Sequence, residues 1–170
     1  KTKEIIVCEG YLDVIMLHQA GFNNAVATLG TALTKDHLPL LRRGEPRVIL
    51  SYDGDKAGQN AAFKASVMLS QNGFDGGVVI FENGADPADM VKDRKIEELE
   101  ELFSNPTPFA NFAISYIVSS YNINNPVEKQ KALSEANEYL SSLSQLYQEE
   151  YKRFLAQKLN IKESLIKTSN

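Results

Sequence analysis

Arg47-Val48-Ile49-Leu50-Ser51-Tyr52-Asp53-Gly54-Asp55-Lys56-Ala57-Gly58 is the stretch that decides the fold. Its β-branched and apolar run predicts a buried strand. The run ends in two aspartates separated by one glycine, and an alanine-rich helix follows. In a parallel sheet, ligands bind at the carboxyl ends of the strands. Two carboxylates at that edge make a hard-oxygen cation site. At about 4 Å apart they would repel by about 4 kcal/mol at an effective dielectric near 20, and a divalent cation removes that penalty. Helix capping is the competing reading of Asp55, because an aspartate ahead of a helix accepts from unpaired N–H groups. Glu9 lies in a similar setting, at the end of Ile5-Ile6-Val7-Cys8.

Working outward, Glu4 to Cys8 reads as a first strand. Leu12, Ile15, Met16 and Ala20 mark a helix stopped by Gly21. Asn24 to Ala27 reads as a second strand, and Thr34 caps a helix ended by Gly44 and Pro46. Ala57 to Gln71 reads as a helix with Ala61, Ala62, Ala65, Met68 and Leu69 facing inward, and Val78 to Phe81 as a fourth strand. This alternation predicts right-handed βαβ units on a four-stranded parallel sheet flanked by helices. If Glu9 is to meet Asp53, the first and third strands must be neighbours. The expected order is then 2-1-3-4, with the acids at the switch point.

Beyond Phe81, Asp86-Pro87-Ala88-Asp89 has the form of a helix N-terminus, with the cap at Asp86. Ile96, Leu99, Leu102 and Phe103 mark another helix. Ser104-Asn105-Pro106-Thr107-Pro108 is a turn cluster, taken as the boundary between an α/β domain at 1–104 and a helical subdomain at 105–170. Apolar stripes follow at Phe109, Phe112, Ala113, Tyr116 and Ile117, at Leu133, Ala136, Leu140 and Leu143, and at Tyr147, Tyr151, Phe154 and Leu155. Such spacing is that of a helical core.

With 170 residues, 43% hydrophobic, the chain can bury a core, and its net charge of -4 offers no long basic stripe for gripping nucleic acid. Cys8 is the only cysteine, which excludes an internal disulfide and a cysteine-based zinc site. No apolar run approaches a membrane span. The first residue is Lys1, and the chain reads as a cytoplasmic fragment of something longer, monomeric and without a membrane partner. His18 and His37 fall in predicted helices and are assigned to structure. Leu29-Gly30-Thr31 follows a strand, so its N–H groups suit a phosphate, and Lys56 is a possible phosphate contact.

Together Val7-Cys8-Glu9-Gly10-Tyr11-Leu12-Asp13, Ala27-Thr28-Leu29-Gly30-Thr31, Tyr52-Asp53-Gly54-Asp55-Lys56-Ala57-Gly58 and Gly84-Ala85-Asp86-Pro87 resemble the Toprim region of bacterial replicative DNA primases, in order and spacing, to about Lys92. The helical remainder is similar to the primase segment that follows. Type IA and type II topoisomerases usually carry a third aspartate where this chain has Ala57. The family often has an aspartate where this chain has Ala88, with Asp89 one residue later.

The resemblance implies primer synthesis on single-stranded DNA from NTPs. It implies Glu9, Asp53 and Asp55 as catalytic, Mg²⁺- or Mn²⁺-binding acids, with Asp86 contributing to a further metal position. Gly30, Thr31 and Lys56 would lie at the nucleotide. Whether Glu9 is a ligand or a proton acceptor stays open. Zinc is expected only in a domain outside this chain, and the replicative helicase is expected to bind through a C-terminal domain also outside it. The alternatives are a Toprim nuclease or topoisomerase module, a receiver-like signalling domain, and a non-catalytic scaffold whose helices bind a helicase. Glu9-Gly10 in place of an acidic pair, and the missing fifth strand, count against the receiver.

Overall fold

The computed structural model describes residues 3–82 and 85–168. Its elements in chain order are β1 (Glu4–Cys8), α1 (Tyr11–Gln19), β2 (Ala25–Ala27), α2 (Leu38–Leu41), β3 (Arg47–Asp53), α3 (Lys56–Gln71), β4 (Gly76–Phe81), α4 (Pro87–Lys92), α5 (Ile96–Ser104), β5 (Thr107–Pro108), α6 (Phe109–Ser119), α7 (Pro126–Ser141) and α8 (Gln145–Leu159). A 3-10 turn at Lys35–His37 leads into α2, and another at Glu163–Leu165 follows α8. Gly84 of the fourth motif lies outside the described residues.

The sheet has the order β2-β1-β3-β4-β5. The first four strands are parallel, with β1 and β3 adjacent, so Cys8 lies opposite Ser51. The expected order of these four strands is therefore observed. The expectation of a four-stranded, all-parallel sheet is corrected by β5, which pairs antiparallel with β4. This two-residue strand comes from within the turn cluster, ends in proline, and has no period to read. Its position at the sheet edge is where proline is tolerated.

β3 runs through the centre, and Val48, Ile49 and Leu50 are fully buried. Alternation along the strands sorts side chains to two faces. Val7, Val48, Leu50 and Tyr52 pack with Leu38, Ala62, Ala65, Leu69 and Phe109, beneath α2, α3 and the start of α6. Ile6, Cys8, Ile49, Val79 and Phe81 pack with Leu17, Leu99 and Phe103, beneath α1 and α5. A third cluster joins Ile114, Ile117, Ala136, Leu140, Leu155 and Leu159 of α6, α7 and α8, with Phe63 and Val67 of α3 packed against it. The inward reading of the helical stripes holds for these residues. Leu102 departs from it and is 38% exposed, because α5 buries Leu99 and Phe103 instead. The Tyr139 hydroxyl and Ser70 Oγ meet at 2.6 Å in a buried hydrogen bond that ties α7 to α3.

His18 Nε2 lies 2.9 Å from the Ala25 carbonyl, and His37 Nδ1 accepts from the Thr34 N–H at 2.9 Å. Both histidines are therefore engaged in local structure.

The glycines of the Asp-Gly-Asp-x-x-Gly stretch have steric reasons. Gly54 donates its N–H to the Phe81 carbonyl at 2.9 Å, and a Cβ on Gly54 would stand 2.5 Å from that same oxygen. A Cβ on Gly58 would collide with the Asp53 carbonyl. Gly-to-Ala in a helix interior ordinarily gains up to about 1 kcal/mol. At Gly58, inside α3, the sign should reverse. Gly58→Ala is expected to cost about 1–3 kcal/mol, as overpacking does, measured by denaturant unfolding. An unchanged midpoint would show that α3 can withdraw from β3 at no cost.

Candidate metal centre

The carboxyl ends of β1, β3 and β4 converge on one edge of the sheet. Glu9 emerges one residue after β1, and its Oε1 accepts the Asp53 N–H at 3.2 Å. That bond fixes the Glu9 carboxylate beside the last residue of β3. Asp55 is the N-cap of α3, and its Oδ1 accepts the Gly58 N–H at 2.6 Å. Asp86 is the N-cap of α4, and its Oδ1 accepts the Asp89 N–H at 2.7 Å. Both aspartates are thus caps, and each cap uses one carboxylate oxygen.

Asp13, in the first turn of α1, enters the same group. Its Oδ1 accepts the Ala88 N–H at 3.4 Å, which ties α1 to α4. Asp13 belongs to the first motif, where its sequence context assigns it no role. The signal was its place one helical turn after Glu9, at the end of the helix that points to the sheet edge.

The electrostatics record the crowding. Burial pushes the Asp13 carboxyl up from 3.8 to about 6, with Asp86, then Asp53 and Glu9, adding to it. Burial likewise raises Glu9, with Asp53 and Asp55 contributing, although the Asp53 N–H opposes it. Asp53 is raised by burial and then by Asp55 and Asp86. Cys8, beneath the site, is pushed up to about 12, chiefly by burial, so it is no thiolate ligand. Among the described residues, no three acidic, histidine or cysteine side chains stand close enough together to share one ion in this conformation. The donor set is nevertheless all hard carboxylate, partly desolvated and of one sign. That chemistry fits a hard divalent cation and not a soft or zinc-selective site.

Beside Glu9 opens a cleft of about 290 Å³ between the loop after β2 and one side of α3. Gly30 and Thr31 line it, and the Thr31 hydroxyl donates to the Thr28 carbonyl at 2.8 Å. Lys56 does not line it. Lys64, two turns further along α3, does.

This sheet, with acids at the switch point, defines the class: residues 6–91 match the family model described as Toprim-like, and the chain belongs to that family. More particularly, it resembles the bacterial DNA primases. It is 55% identical to the DNA primase of Helicobacter pylori over 92% of this chain and 28% of that protein. It is 42% identical to the DNA primase of Campylobacter jejuni over 98% of this chain and 27% of that one. The chain therefore spans little more than a quarter of these relatives.

Among solved structures, it matches the E. coli primase catalytic core with a TM-score of 0.82 and 29% identity, covering 95% of this chain and 53% of that one. A DnaG primase catalytic domain bound to ssDNA matches with a TM-score of 0.83 and 30% identity, over 97% of this chain and 54% of that one. The Toprim-like primase family is in general metal-dependent.

Residues 110–164 match a second model, described as the DnaB-helicase binding domain of primase. This match bears on the expectation that the helicase binds through a domain outside the chain, because the segment so described lies within it. Helical spacing reports the buried side of α6, α7 and α8 and carries no information about their outer surface.

The raised Asp13 carboxyl has a testable consequence. Folded, Asp13 keeps its proton to about pH 6; unfolded, it loses it near 3.8. Stability from this group is therefore lost as pH rises through that window, and the cost is complete above it. Asp13→Asn keeps the Ala88 bond and removes the charge. In EDTA near pH 7.5 it should be about 1–2 kcal/mol more stable than wild type, after allowance for partial exposure, with the gain gone near pH 4. A lower melting point for the variant at neutral pH would refute the crowding.

Proposed function

We propose that this chain is the metal-bearing segment of a DNA primase that makes short RNA primers on single-stranded DNA from NTPs. The observation that carries the reading is the convergence of Glu9, Asp53, Asp55 and Asp86 on one sheet edge, with ionisation of Glu9 and Asp53 disfavoured by burial and mutual repulsion. The primase relatives and solved cores support it.

Glu9, Asp53 and Asp55 would hold Mg²⁺ or Mn²⁺, which when bound supplies the charge that lets carboxylates and phosphates share one site. Asp86 would serve a further metal position. Asp55 and Asp86 each keep one oxygen free of their caps for this purpose. Glu9 is oriented by the Asp53 N–H, so its carboxylate stands ready beside the β3 aspartates. The reaction is attack of a 3′-hydroxyl on the α-phosphate of the incoming nucleotide, with pyrophosphate leaving. The loop at Gly30 and Thr31 offers backbone N–H groups to the nucleotide across the cleft from α3.

In this reading, residues 1–104 carry the metal site, and residues 105–170 form a helical unit that braces α3. The outer faces of α6, α7 and α8 would meet the replicative helicase, a proposal supported by the match at residues 110–164. The protein would act in the cytoplasm at the nucleoid, with this segment monomeric. No described helix is long and apolar enough to cross a membrane.

Thermal melts with and without metal test the site. Saturating Mg²⁺ should stabilise the chain by about 1–3 kcal/mol, since a ligand at about 100 times its Kd contributes about 2.7 kcal/mol. Glu9→Gln and Asp53→Asn should lose most of that gain, and Asp53→Asn should melt at or above wild type in EDTA. A full metal response in both variants would sink the proposal. In a whole primase carrying either change, primer synthesis should be abolished. With its net charge of -4, the isolated chain should bind single strands only weakly at physiological salt, and sub-micromolar affinity in a titration would contradict this.

A further inference from the structure

With planar trans peptides, the distance between the Asp53 and Asp55 Cα atoms depends only on φ and ψ of Gly54. Glycine has the widest range of these angles, so an unrestrained Gly54 would be the softest point of the site. It is restrained on both sides. Its N–H donates to the Phe81 carbonyl at 2.9 Å, and its own carbonyl accepts the Gln59 side-chain amide, Nε2, at 2.9 Å. The N–H lies in the peptide plane shared with Asp53, and the C=O in the plane shared with Asp55. Holding both planes holds φ and ψ of the residue between the aspartates.

The Gln59 side-chain bond is not a helix cap. Gln59 is the fourth residue of α3, and its main-chain N–H donates to the Asp55 carbonyl at 2.9 Å, as any residue there would. The unpaired groups at the start of a helix are N–H donors, so a cap supplies an acceptor. Asp55 does so for the Gly58 N–H. Gln59 instead presents a donor to a carbonyl outside the helix, and so acts on the turn. Glutamate at this position could not donate, and asparagine would be one methylene short. Because Gln59 is exposed, its neutral hydrogen bond adds little to global stability. Among the bonds that hold the turn, it is the one that a substitution removes without touching an acid or a backbone group.

Among the described residues, no three acidic, histidine or cysteine side chains converge closely enough here to share an ion, so loading requires movement. A held backbone confines that movement to side chains. A free one would lose its disorder at each loading, and the lost entropy would weaken binding.

We propose that Gln59 is a positioning residue for the metal centre: by holding the Gly54 carbonyl, it keeps the backbone between Asp53 and Asp55 at one spacing before a cation arrives. The inference rests on the metal-binding reading of Glu9, Asp53 and Asp55.

The test compares wild type with Gln59→Met, which keeps length and helix propensity and removes the donor, and with Asp53→Asn. Mg²⁺ is titrated by calorimetry well below the melting temperature, where each protein is folded. Gln59→Met should bind Mg²⁺ about 3–10-fold more weakly. This is less than the loss of about 10–100-fold typical when a metal ligand loses its own partner, because Gln59 holds the backbone between ligands. Its melting point in EDTA should lie within about 2 °C of wild type, as for other surface substitutions. The Gly54 N–H should exchange faster with solvent in the variant, while the Val48 and Leu50 amides within β3 keep their protection. A merely stabilising bond would do the reverse, lowering the melting point and leaving the affinity of the folded protein unchanged, and that result overturns the inference. So does a Gln59→Met protein that matches wild type in Mg²⁺ affinity and Gly54 exchange while Asp53→Asn loses Mg²⁺ binding. In that case the metal reading stands and this inference alone fails. If the wild type binds no Mg²⁺, both fail.

Discussion

The lateral pairing of β1 with β3 is the constraint on which the rest depends. Parallel hydrogen bonding sets Cys8 opposite Ser51, and that register leaves Glu9 level with the end of β3. The Asp53 N–H then bonds the Glu9 carboxylate at 3.2 Å. A slip of one residue would turn every side chain of β1 to the other face and carry Glu9 away from the aspartates. The register is held by two separate cores, since Val7 packs under α3 while Ile6 and Cys8 pack under α1 and α5.

The same edge gathers like charge at a cost. Asp13, Glu9 and Asp53 are all harder to ionise than free carboxylates, with burial as the leading cause in each. Local bonds hold the acids in place against this. Asp55 and Asp86 are tied to their helices as caps, Glu9 to the β3 backbone, and Asp13 to the α4 backbone. Capping and the proposed metal role are therefore not rivals at these positions, because a carboxylate has two oxygens and a cap uses one.

The helical segment bears on the site through α3. Phe109, the first residue of α6, lies in the core under the sheet, and β5 adds the preceding residues to the sheet edge. Tyr139 reaches Ser70, and Tyr116 reaches Asn60. One side of α3 is thereby committed to α6 and α7, and another is left to line the cleft beside Glu9.

The alternation of strands and helices, the acids at strand ends and the Asp-Gly-Asp-x-x-Gly stretch were legible in the sequence, because each is a local pattern. Period and turn chemistry act over a few residues, and the glycines mark backbone contacts that admit no Cβ. The order of the first four strands was reached through the chemistry of Glu9 and Asp53, with no pattern of its own. What only the tertiary structure decided depends on contacts between distant segments. Asp13 joins the acids because α1 packs against α4. β5 exists because two residues of a turn cluster meet the free edge of β4, and no periodicity announces a two-residue strand. Lys64 and not Lys56 lines the cleft because the docking of α6 and α7 sets which side of α3 faces the loop after β2, and a helix's own sequence does not say which of its polar sides a neighbour will leave open.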